Sequence, residues 1–346
     1  MKIAIAGIAA PIGKPALAPD MTVKSAPRVS AFAECFLLGD IGATNARLAL
    51  LTGSALGPVT SFEVARFARF ADVIDLFLRD HCGQCHPKRA LFAIAAPVDG
   101  QWSALTNCQW VIDTAELQTA FNIQSQLLND FEAVAHSLPL LGSSDLAKIG
   151  GGALNRTSPM AVLGPGTGLG VACFVPRSGQ PVVIQSEGGH ATLAGTCDRE
   201  DDIINHLRQR FGHASAERAV SGPGLENIYQ AIGALDTVET PLRNATEITR
   251  SALRGECNTA VQALNTFCAL LGSFAGSAAL TFGARGGVYI AGGIPPRIVD
   301  FMRRSQFRAR FEAKGRFREY LEAIPVHVIT HPAAAFIGLM SILSDN

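Results

Sequence analysis

The chain of 346 residues carries no excess of either charge, with 29 basic against 29 acidic residues, and no run of lysine or arginine. Proteins that bind nucleic acids present basic patches to the phosphate backbone, so a nucleic acid is not the expected partner. A repeat of fixed short period is also missing. Apolar residues (48%) and 34 glycines are abundant instead. They indicate a large buried core with many tight turns.

A second Cys-x-x-Cys motif is missing as well. Cys82-Gly-Gln-Cys85, flanked by His81 and His86, has no counterpart elsewhere in the chain. A structural zinc site usually needs two such halves, so we interpret this cluster as a surface loop. Several of the eight cysteines lie inside apolar runs, as buried free thiols do. We therefore expect all eight to be reduced and the protein to be cytoplasmic.

Long uninterrupted hydrophobic runs are scarce. The first ten residues are apolar apart from Lys2, but Pro11, Pro15 and Pro19 follow and no convincing cleavage site is present. We predict a flexible extension over residues 1–33. Residues 260–284 form the other apolar stretch, and glutamine, asparagine, serine and threonine interrupt it. That composition predicts a buried helix rich in small residues and not a membrane span.

Strands and helices alternate along the rest of the chain. Apolar runs predict two strands within 35–51 and further strands at 89–96, 126–128, 287–291 and 324–329. Helical spacing of apolar residues predicts helices at 71–80, 115–121, 131–138 and 200–211, another after Gly224, and a last one from Pro332 to about residue 343. This mixture predicts an α/β fold with mixed sheets.

One predicted hairpin has a turn suited to a metal-bound polyphosphate. In Leu37-Leu-Gly-Asp40-Ile-Gly42-Ala-Thr44-Asn45, an apolar strand enters a turn that holds one carboxylate, glycine and small polar side chains. Backbone N–H groups and a hydroxyl can donate to phosphate oxygens there, while the carboxylate can hold Mg²⁺ or its waters. An ordinary hairpin turn has the same composition, so this segment alone does not decide between the two.

A second hairpin of this kind strengthens the phosphate interpretation. Residues 161–175 contain Gly164-Pro-Gly166-Thr167-Gly168-Leu-Gly170 between two apolar runs. The segment lacks the third glycine of Gly-x-Gly-x-x-Gly, and no Gly-Lys-Ser/Thr follows it, so neither a dinucleotide fingerprint nor a P-loop is present. Two such turns, with a glycine-rich strand end at 286–293, suggest a nucleotide clamped between two lobes.

Several polar residues are candidates for chemistry on a hydroxylated ligand. Asn129-Asp130 lies between a predicted strand and a helix, where it could serve as a helix cap or could supply a general base. Glu187 and His190 flank two glycines and could meet at one ligand or lie in a solvated loop. Glu217 by itself indicates a surface ion pair, and Asn107 a turn residue. Together they would match sugar hydroxyls, which need both donors and acceptors.

These segments carry a family likeness. The turns at 38–47 and 163–170 resemble the two phosphate motifs of the actin/hexokinase/heat-shock ATPase superfamily, and residues 286–293 resemble its adenosine motif. Leu128-Asn-Asp-Phe131, Ser186-Glu-Gly-Gly-His190, Ser215-Ala-Glu-Arg218 and Ser221-Gly-Pro-Gly-Leu225 resemble, more narrowly, the bacterial glucokinase family. The likeness runs from about Cys35 to the last predicted helix. It implies two α/β lobes around a central cleft.

The resemblance also implies an activity and a set of roles. It implies ATP-dependent phosphorylation of D-glucose to glucose 6-phosphate, the first step of glycolysis, with Asp130 as general base and Asp40 helping to position Mg²⁺. Sugar hydroxyls would be bound by Asn107, Asn129, Glu187, His190 and Glu217. ATP and its phosphates would lie near Gly39, Asp40, Gly42, Thr44, Asn45, Gly166, Thr167, Gly168, Gly292 and Gly293. A homodimer is implied as well.

The implied lobes map onto the chain as a small domain of residues 34–139 with 332–346 and a large domain of residues 140–331. Three residues depart from the family pattern: Ala43 and Ser186 stand where glycine is usual, and Pro165 removes a backbone N–H. Alternative hypotheses are a sensor that binds glucose or ATP without turnover, a kinase of another hexose, and an ATPase or phosphatase with another substrate. An intact Asp130 argues against the sensor, because sensing needs no base.

Overall fold

Each of the two main sheets of this protein contains an antiparallel hairpin with a glycine-rich turn. The computed structural model describes residues 34–83, 85–105 and 108–344. Its strands are β1 Cys35–Ile41, β2 Asn45–Thr52, β3 Ala55–Leu56, β4 Thr60–Glu63, β5 Arg89–Ile94, β6 Trp102–Ala104, β7 Val111–Asp113, β8 Gln124–Asn129, β9 Leu146–Gly150, β10 Met160–Pro165, β11 Leu169–Val175, β12 Val182–Ser186, β13 Gly287–Ile290 and β14 Val326–Ile329. Its helices are α1 Phe70–His81, α2 Thr114–Phe121, α3 Asp130–Ser137, α4 Asp198–Phe211, α5 Gly222–Asp236, α6 Ala245–Arg254, α7 Asn258–Phe282, α8 Val299–Arg304, α9 Phe307–Glu312, α10 Arg318–Glu322 and α11 Ala334–Ser344.

The two six-stranded sheets repeat one pairing pattern. In the first, β1 pairs antiparallel with β2 and parallel with β5, and β5 pairs parallel with β8. In the second, β10 pairs antiparallel with β11 and parallel with β13, and β13 pairs parallel with β14. Each pattern therefore consists of a hairpin followed by two parallel strands. The α/β fold with mixed sheets that the sequence predicts is confirmed.

Corresponding helices follow the last parallel strand of each pattern and pack on each other. α3 follows β8, and α11 follows β14. They cross so closely that a side chain at Gly338 would overlap the carbonyl oxygen of Ala133. Phe336 and Leu339 of α11 are fully buried in the same apolar cluster as Ala133. This contact connects the C-terminal helix to the helix that begins with Asp130.

The apolar stretch at 260–284 is a core helix, as predicted. α7 is the one helix in the described part of the chain that is long and apolar enough to cross a membrane, and 72% of its most apolar window is buried inside the protein. Gly272 and Gly276 lie directly against the backbone of Phe307 and Phe311 in α9. Small residues on α7 therefore serve close helix packing, which accounts for its composition.

The expectation that every cysteine is free is wrong for one pair. Cys35 and Cys85 form a disulfide, with their Cα atoms 6.4 Å apart. Cys35 is paired with Thr52 across the first hairpin, and the sulfur of Cys85 lies 3.9 Å from the hydroxyl of Thr52. The return of the chain through α1 brings these distant positions together, and sequence spacing does not show that. Among the described residues no group of three metal-ligating side chains forms at Cys82 or elsewhere.

Helices and strands of the site match their predicted positions within a few residues, including both hairpins, β5, β8, β13, β14 and α3. The last helix begins at Ala334, two residues after the predicted Pro332. Short elements were not predicted, among them the β6–β7 hairpin, β9 and α8 to α10. The predicted extension at residues 1–33 lies outside the described residues. The predicted bounds of the two lobes stay a prediction.

Candidate active site

A cavity of about 740 Å³ lies where both hairpin turns and the start of α3 meet. Ten of the residues predicted for the site line its wall: Thr44, Asn129, Asp130, Gly166, Thr167, Gly168, Glu187, His190, Glu217 and Gly292. These residues come from segments as much as 248 positions apart in the chain, from Thr44 to Gly292. The structure thus brings the phosphate-type turns and the candidate sugar ligands into one space. Another cavity, of about 440 Å³ at residues 64–68 and 108–110, contains no carboxylate.

The carboxylate of Asp130 is held at the first turn of α3. Asn129 is the N-cap, and its side-chain oxygen accepts the N–H groups of Phe131 and Glu132. The amide nitrogen of Asn129 donates to the carbonyl oxygen of Ala96, at the end of the neighbouring strand. Asp130 itself accepts the N–H of Phe131 at 2.9 Å. Capping and a base are therefore compatible here, because Asn129 caps the helix and Asp130 lines the cavity.

Burial and a neighbouring negative charge raise the pKa of Asp130. Burial is the main cause that raises the pKa of this carboxyl to about 7, and the carboxylate of Asp40 adds to the effect. Burial also raises the pKa of Asp40, against the opposing influence of the Arg47 guanidinium. A pKa near neutrality suits a group that must accept a proton and release it again in each turnover. The first hairpin and α3 are thus coupled electrostatically.

Three polar side chains face one another across the predicted sugar site. The two ring nitrogens of His190 lie 4.0 Å from a carboxylate oxygen of Glu187 and 4.0 Å from one of Glu217. Ser186, a departure from the family pattern, accepts the N–H of Gly188 at 2.9 Å and so stabilises the turn that carries Glu187. Carboxylates that flank an imidazole can accept hydroxyl protons while the ring donates or accepts, which matches a polyhydroxylated ligand.

The second phosphate-type turn, Pro165–Gly170, is enclosed by its neighbours. Glu217 accepts the N–H of Leu169 at 2.9 Å, and the carbonyl oxygen of Gly166 accepts the N–H of Gly222 at 2.8 Å. A side chain at Gly189 would overlap the carbonyl oxygen of Leu169, and one at Gly292 that of Pro165. Gly292 also has a φ of +90°, which favours glycine. Hydrogen bonds and close contacts therefore fix this turn before any ligand arrives.

The first turn, Asp40–Asn45, has fewer close steric contacts with neighbouring elements. Arg47 lies 3.6 Å from the carboxylate of Asp40 and donates to the carbonyl oxygen of Pro332 at 3.1 Å. Gly42 donates its N–H to Asn45 at 3.0 Å, and Ala43 does not have a positive φ, so alanine fits where glycine is usual. Gly39, Asp40, Gly42, Asn45 and Gly293 do not line the cavity wall, unlike their predicted partners.

Gly39 has a reason for being glycine that phosphate binding does not supply. It lies inside β1, and a Cβ atom there would come within 2.6 Å of the Phe92 ring and 2.9 Å of Leu48. The packing of the first sheet therefore requires a glycine at this position, independently of whether phosphate binds at the turn.

A magnesium ion would fit the carboxylates of Asp130, in the cavity wall, and of Asp40, beside it, only together with a ligand. Asp40 and Asp130 interact through their charges, and the described residues hold no cluster of three metal-ligating side chains. Mg²⁺ is commonly bound by one or two carboxylates, several waters and substrate phosphates. The carboxylates present fit that pattern, with Asp40 at the turn and phosphate oxygens completing the set.

Some residues of the cavity were missed. Arg218, Ser221 and Asn227 line its wall. The first two stand inside motifs that the sequence analysis quoted, so they could have been found, whereas Asn227 lies within α5 and gives no local signal. Asn107, predicted to bind sugar, lies outside the described residues. Phe131 also lines the wall and has a more specific environment, described below.

Two mixed sheets with matching hairpins, and a cavity where both hairpin turns meet a carboxylate at a helix start, are consistent with a two-lobed kinase fold of the actin-like type. The model of the Glucokinase family matches residues 37–346. The glucokinase of Paramagnetospirillum magneticum is 44% identical over 313 residues, which cover 89% of this chain and 97% of that protein. The chain belongs to the glucokinase family.

Solved structures agree with this assignment. The crystal structure of glucokinase from an Antarctic psychrotroph is 35% identical, has a TM-score of 0.80, and is matched over 90% of this chain and 99% of that one. A glucokinase from Streptomyces griseus in complex with glucose and AMPPNP has a TM-score of 0.62 at 15% identity, covering 89% and 98% of the two chains. The second likeness shows the fold alone.

Proposed function

We propose that this protein transfers the γ-phosphoryl group of ATP to the 6-hydroxyl of D-glucose. The observation that carries the proposal is the shared cavity, whose wall contains Asp130, the Glu187–His190–Glu217 set and residues of the turn at 165–170. The names of the family and of the curated relatives support glucose as the acceptor. The nucleotide analogue bound by the Streptomyces griseus protein supports ATP as the donor.

The sugar would be bound by groups that alternate as donors and acceptors. Glu187 and Glu217 would accept protons from its hydroxyls, while His190 and the amide of Asn129 would fill the remaining positions. An acceptor lacking one of these hydroxyls would leave a buried polar group unpaired, which is costly. Asp130 would then accept the proton of the 6-hydroxyl as the oxygen attacks phosphorus, since its raised pKa makes it a competent base near neutral pH.

The phosphates of ATP would be bound mainly by backbone groups. The N–H groups of Thr167 and Gly168, with the Thr44 hydroxyl, would contact phosphate oxygens, while Gly166 shapes the turn by donating its N–H to the carbonyl oxygen of Gly168. Mg²⁺ held at Asp40 would neutralise part of the phosphate charge. Closure of the two lobes, residues 34–139 with 332–346 against 140–331, would exclude the water that competes as acceptor.

The test compares wild type with Asp130→Asn in an assay for glucose 6-phosphate formed from glucose and ATP-Mg²⁺. Asparagine keeps the shape but cannot accept the proton, so we expect the rate to fall by roughly 10²–10⁴-fold while glucose still binds. Asp75→Asn, an exposed aspartate on α1 paired with Arg79, is the matched control and should keep full activity. Glucose binding without turnover in wild type would instead support the sensor hypothesis.

The same comparison has a pH dependence. Because the pKa of Asp130 in the folded protein is raised to about 7, the carboxyl is protonated and inactive as a base at lower pH. The rate should therefore fall as the pH decreases below about 7. A raised acid pKa lowers the stability of the fold progressively between the ordinary value of 3.8 and about 7, and in full above that, so Asp130→Asn should raise Tm at pH 8 and change it little at pH 4. A flat pH–rate profile from pH 5 to 8 would contradict the assigned base.

A homodimer, a cytoplasmic location and a place at the first step of glycolysis follow from the resemblance and are proposed with the activity. Light scattering on the purified protein gives the mass of the assembly directly. A monomer of 36.4 kDa would overturn the dimer without affecting the proposed reaction.

A further inference from the structure

Phe131, which follows the proposed base, has its ring wedged against the stem of the second phosphate turn. Gly164 and Gly170 are direct partners across the β10–β11 hairpin. A Cβ atom at Gly164 would overlap the far end of the Phe131 ring, and one at Gly170 would overlap its near edge. The ring therefore packs directly on Gly164 and Gly170, in the space that their side chains would fill if they were not glycines.

The reason for these glycines is steric. Neither Gly164 nor Gly170 has a φ in the left-handed region, so their backbone suits any residue. Phosphate approach does not explain them either, because both lie in paired strands below the turn and not at its tip. The atoms nearest to both missing side chains belong to Phe131, on a helix that follows the first sheet.

The backbone of Phe131 contacts the proposed base, as its ring contacts the second phosphate turn. Its N–H donates to the carboxylate of Asp130 and to the side chain of Asn129, each at 2.9 Å. One residue thus holds the proposed base through its amide and the phosphate turn through its ring. We infer that Phe131, seated on Gly164 and Gly170, is a positioning residue that sets the distance between the base and the phosphoryl group.

An independent contact fixes the same helix end to the same sheet. Gln185 of β12 donates to the carboxylate of Glu132 at 2.7 Å, next to the strand end that leads to Glu187. The start of α3 is therefore attached to β10 and β11 through Phe131 and to β12 through Glu132. This helix start is therefore in direct contact with the second sheet, although its chain arrives from the first.

This inference rests on the proposed kinase activity, and a size exchange tests it. Leucine at position 131 lacks the outer ring atoms that a methyl group at position 164 would overlap, so Phe131→Leu makes room for Gly164→Ala. We would measure kcat, the KM values for glucose and ATP, and Tm for both single variants and for the double variant. Phe267→Leu, fully buried in α7, and Gly276→Ala, tight against α9, are controls matched in size.

Misplacing reacting groups by about 1 Å costs on the order of 10²-fold in rate. We expect kcat to fall about tenfold in Phe131→Leu and about 100-fold in Gly164→Ala, with the KM for glucose changed by less than about threefold. The double variant should exceed Gly164→Ala in kcat by about tenfold, which reveals coupling. Both controls should lower Tm while their folded fraction keeps the wild-type kcat.

Either of two results would overturn the inference while leaving the kinase proposal intact. One is a wild-type kcat in Phe131→Leu; the other is losses that simply multiply in the double variant. A wild type that fails to phosphorylate glucose at all would overturn the proposed function itself, and the inference with it.

Discussion

The two phosphate-type turns look alike in sequence but differ in how the structure holds them. The turn at 165–170 is in contact with Phe131, Gly189, Glu217, Gly222 and Gly292. The turn at 40–45 is held by its own hairpin, by Arg47, and by backbone hydrogen bonds from Ala95 to Ile41 and from Val64 to Thr44, with few close contacts besides. At Gly42 a Cβ atom would meet only the carbonyl oxygen of Asn45, at an ordinary 3.4 Å.

This difference suggests a division of roles. A turn whose shape is fixed in advance loses little freedom when phosphate binds, so it can orient the transferred group. The first turn has fewer close contacts and carries the carboxylate of Asp40. It can therefore adapt its shape to the nucleotide and its metal. Conserving the shape of the second turn should therefore matter more for activity than conserving the shape of the first.

The largest effect is expected at Gly189, where a methyl group would overlap the carbonyl oxygen of Leu169. Because a backbone atom cannot move aside as a side chain does, we expect Gly189→Ala to lower kcat/KM by about 100-fold. Gly188→Ala is the matched control, since its nearest neighbour is the Ser186 hydroxyl at 3.0 Å. Equal losses in the two variants, measured by steady-state kinetics, would show that the turn is not rigid.

An intermediate effect is expected at Glu217, which touches both the turn and the sugar site. Glu217→Ala removes the acceptor of the Leu169 N–H as well as a sugar ligand. We expect the KM for glucose and the KM for ATP each to rise about tenfold, the ordinary scale for one charged hydrogen bond. Glu187→Ala should raise only the value for glucose. If both variants leave the KM for ATP unchanged, the second turn does not depend on Glu217.

The smallest effect is expected at Gly42. Gly42→Ala should change kcat/KM by less than about threefold, because the added methyl group makes one ordinary van der Waals contact. A loss as large as that of Gly189→Ala would mean that phosphate oxygens approach this backbone closely. That result would remove the contrast between the two turns.

Local sequence patterns predicted most of the site. Apolar runs and turn residues located both hairpins, and the strand–Asn–Asp–helix pattern located Asn129 and Asp130 at the start of α3. These features depend on backbone preferences and capping within a few residues, so a single segment contains the information. The glycine-rich turns and the polar candidates indeed line one cavity, apart from those noted above.

Other features depend on which segments become neighbours. The Cys35–Cys85 disulfide joins residues 50 positions apart, and nothing in their spacing reveals it. The close packing of Gly39 against Phe92, which requires a glycine there whatever its predicted role at the phosphates, also joins distant segments. The short β6–β7 hairpin was missed because three-residue strands give no clear alternation.

By itself, the sequence determined the fold class, the two hairpin turns and the helix start that carries Asp130, since propensity, periodicity and capping act locally. Only the tertiary structure decided why Gly164 and Gly170 are glycine and why the pKa of Asp130 is about 7. Those properties arise from a ring and a carboxylate on distant segments. Steric exclusion and electrostatic coupling act through space. The order of residues along the chain does not show which distant side chains will be close together in the folded protein.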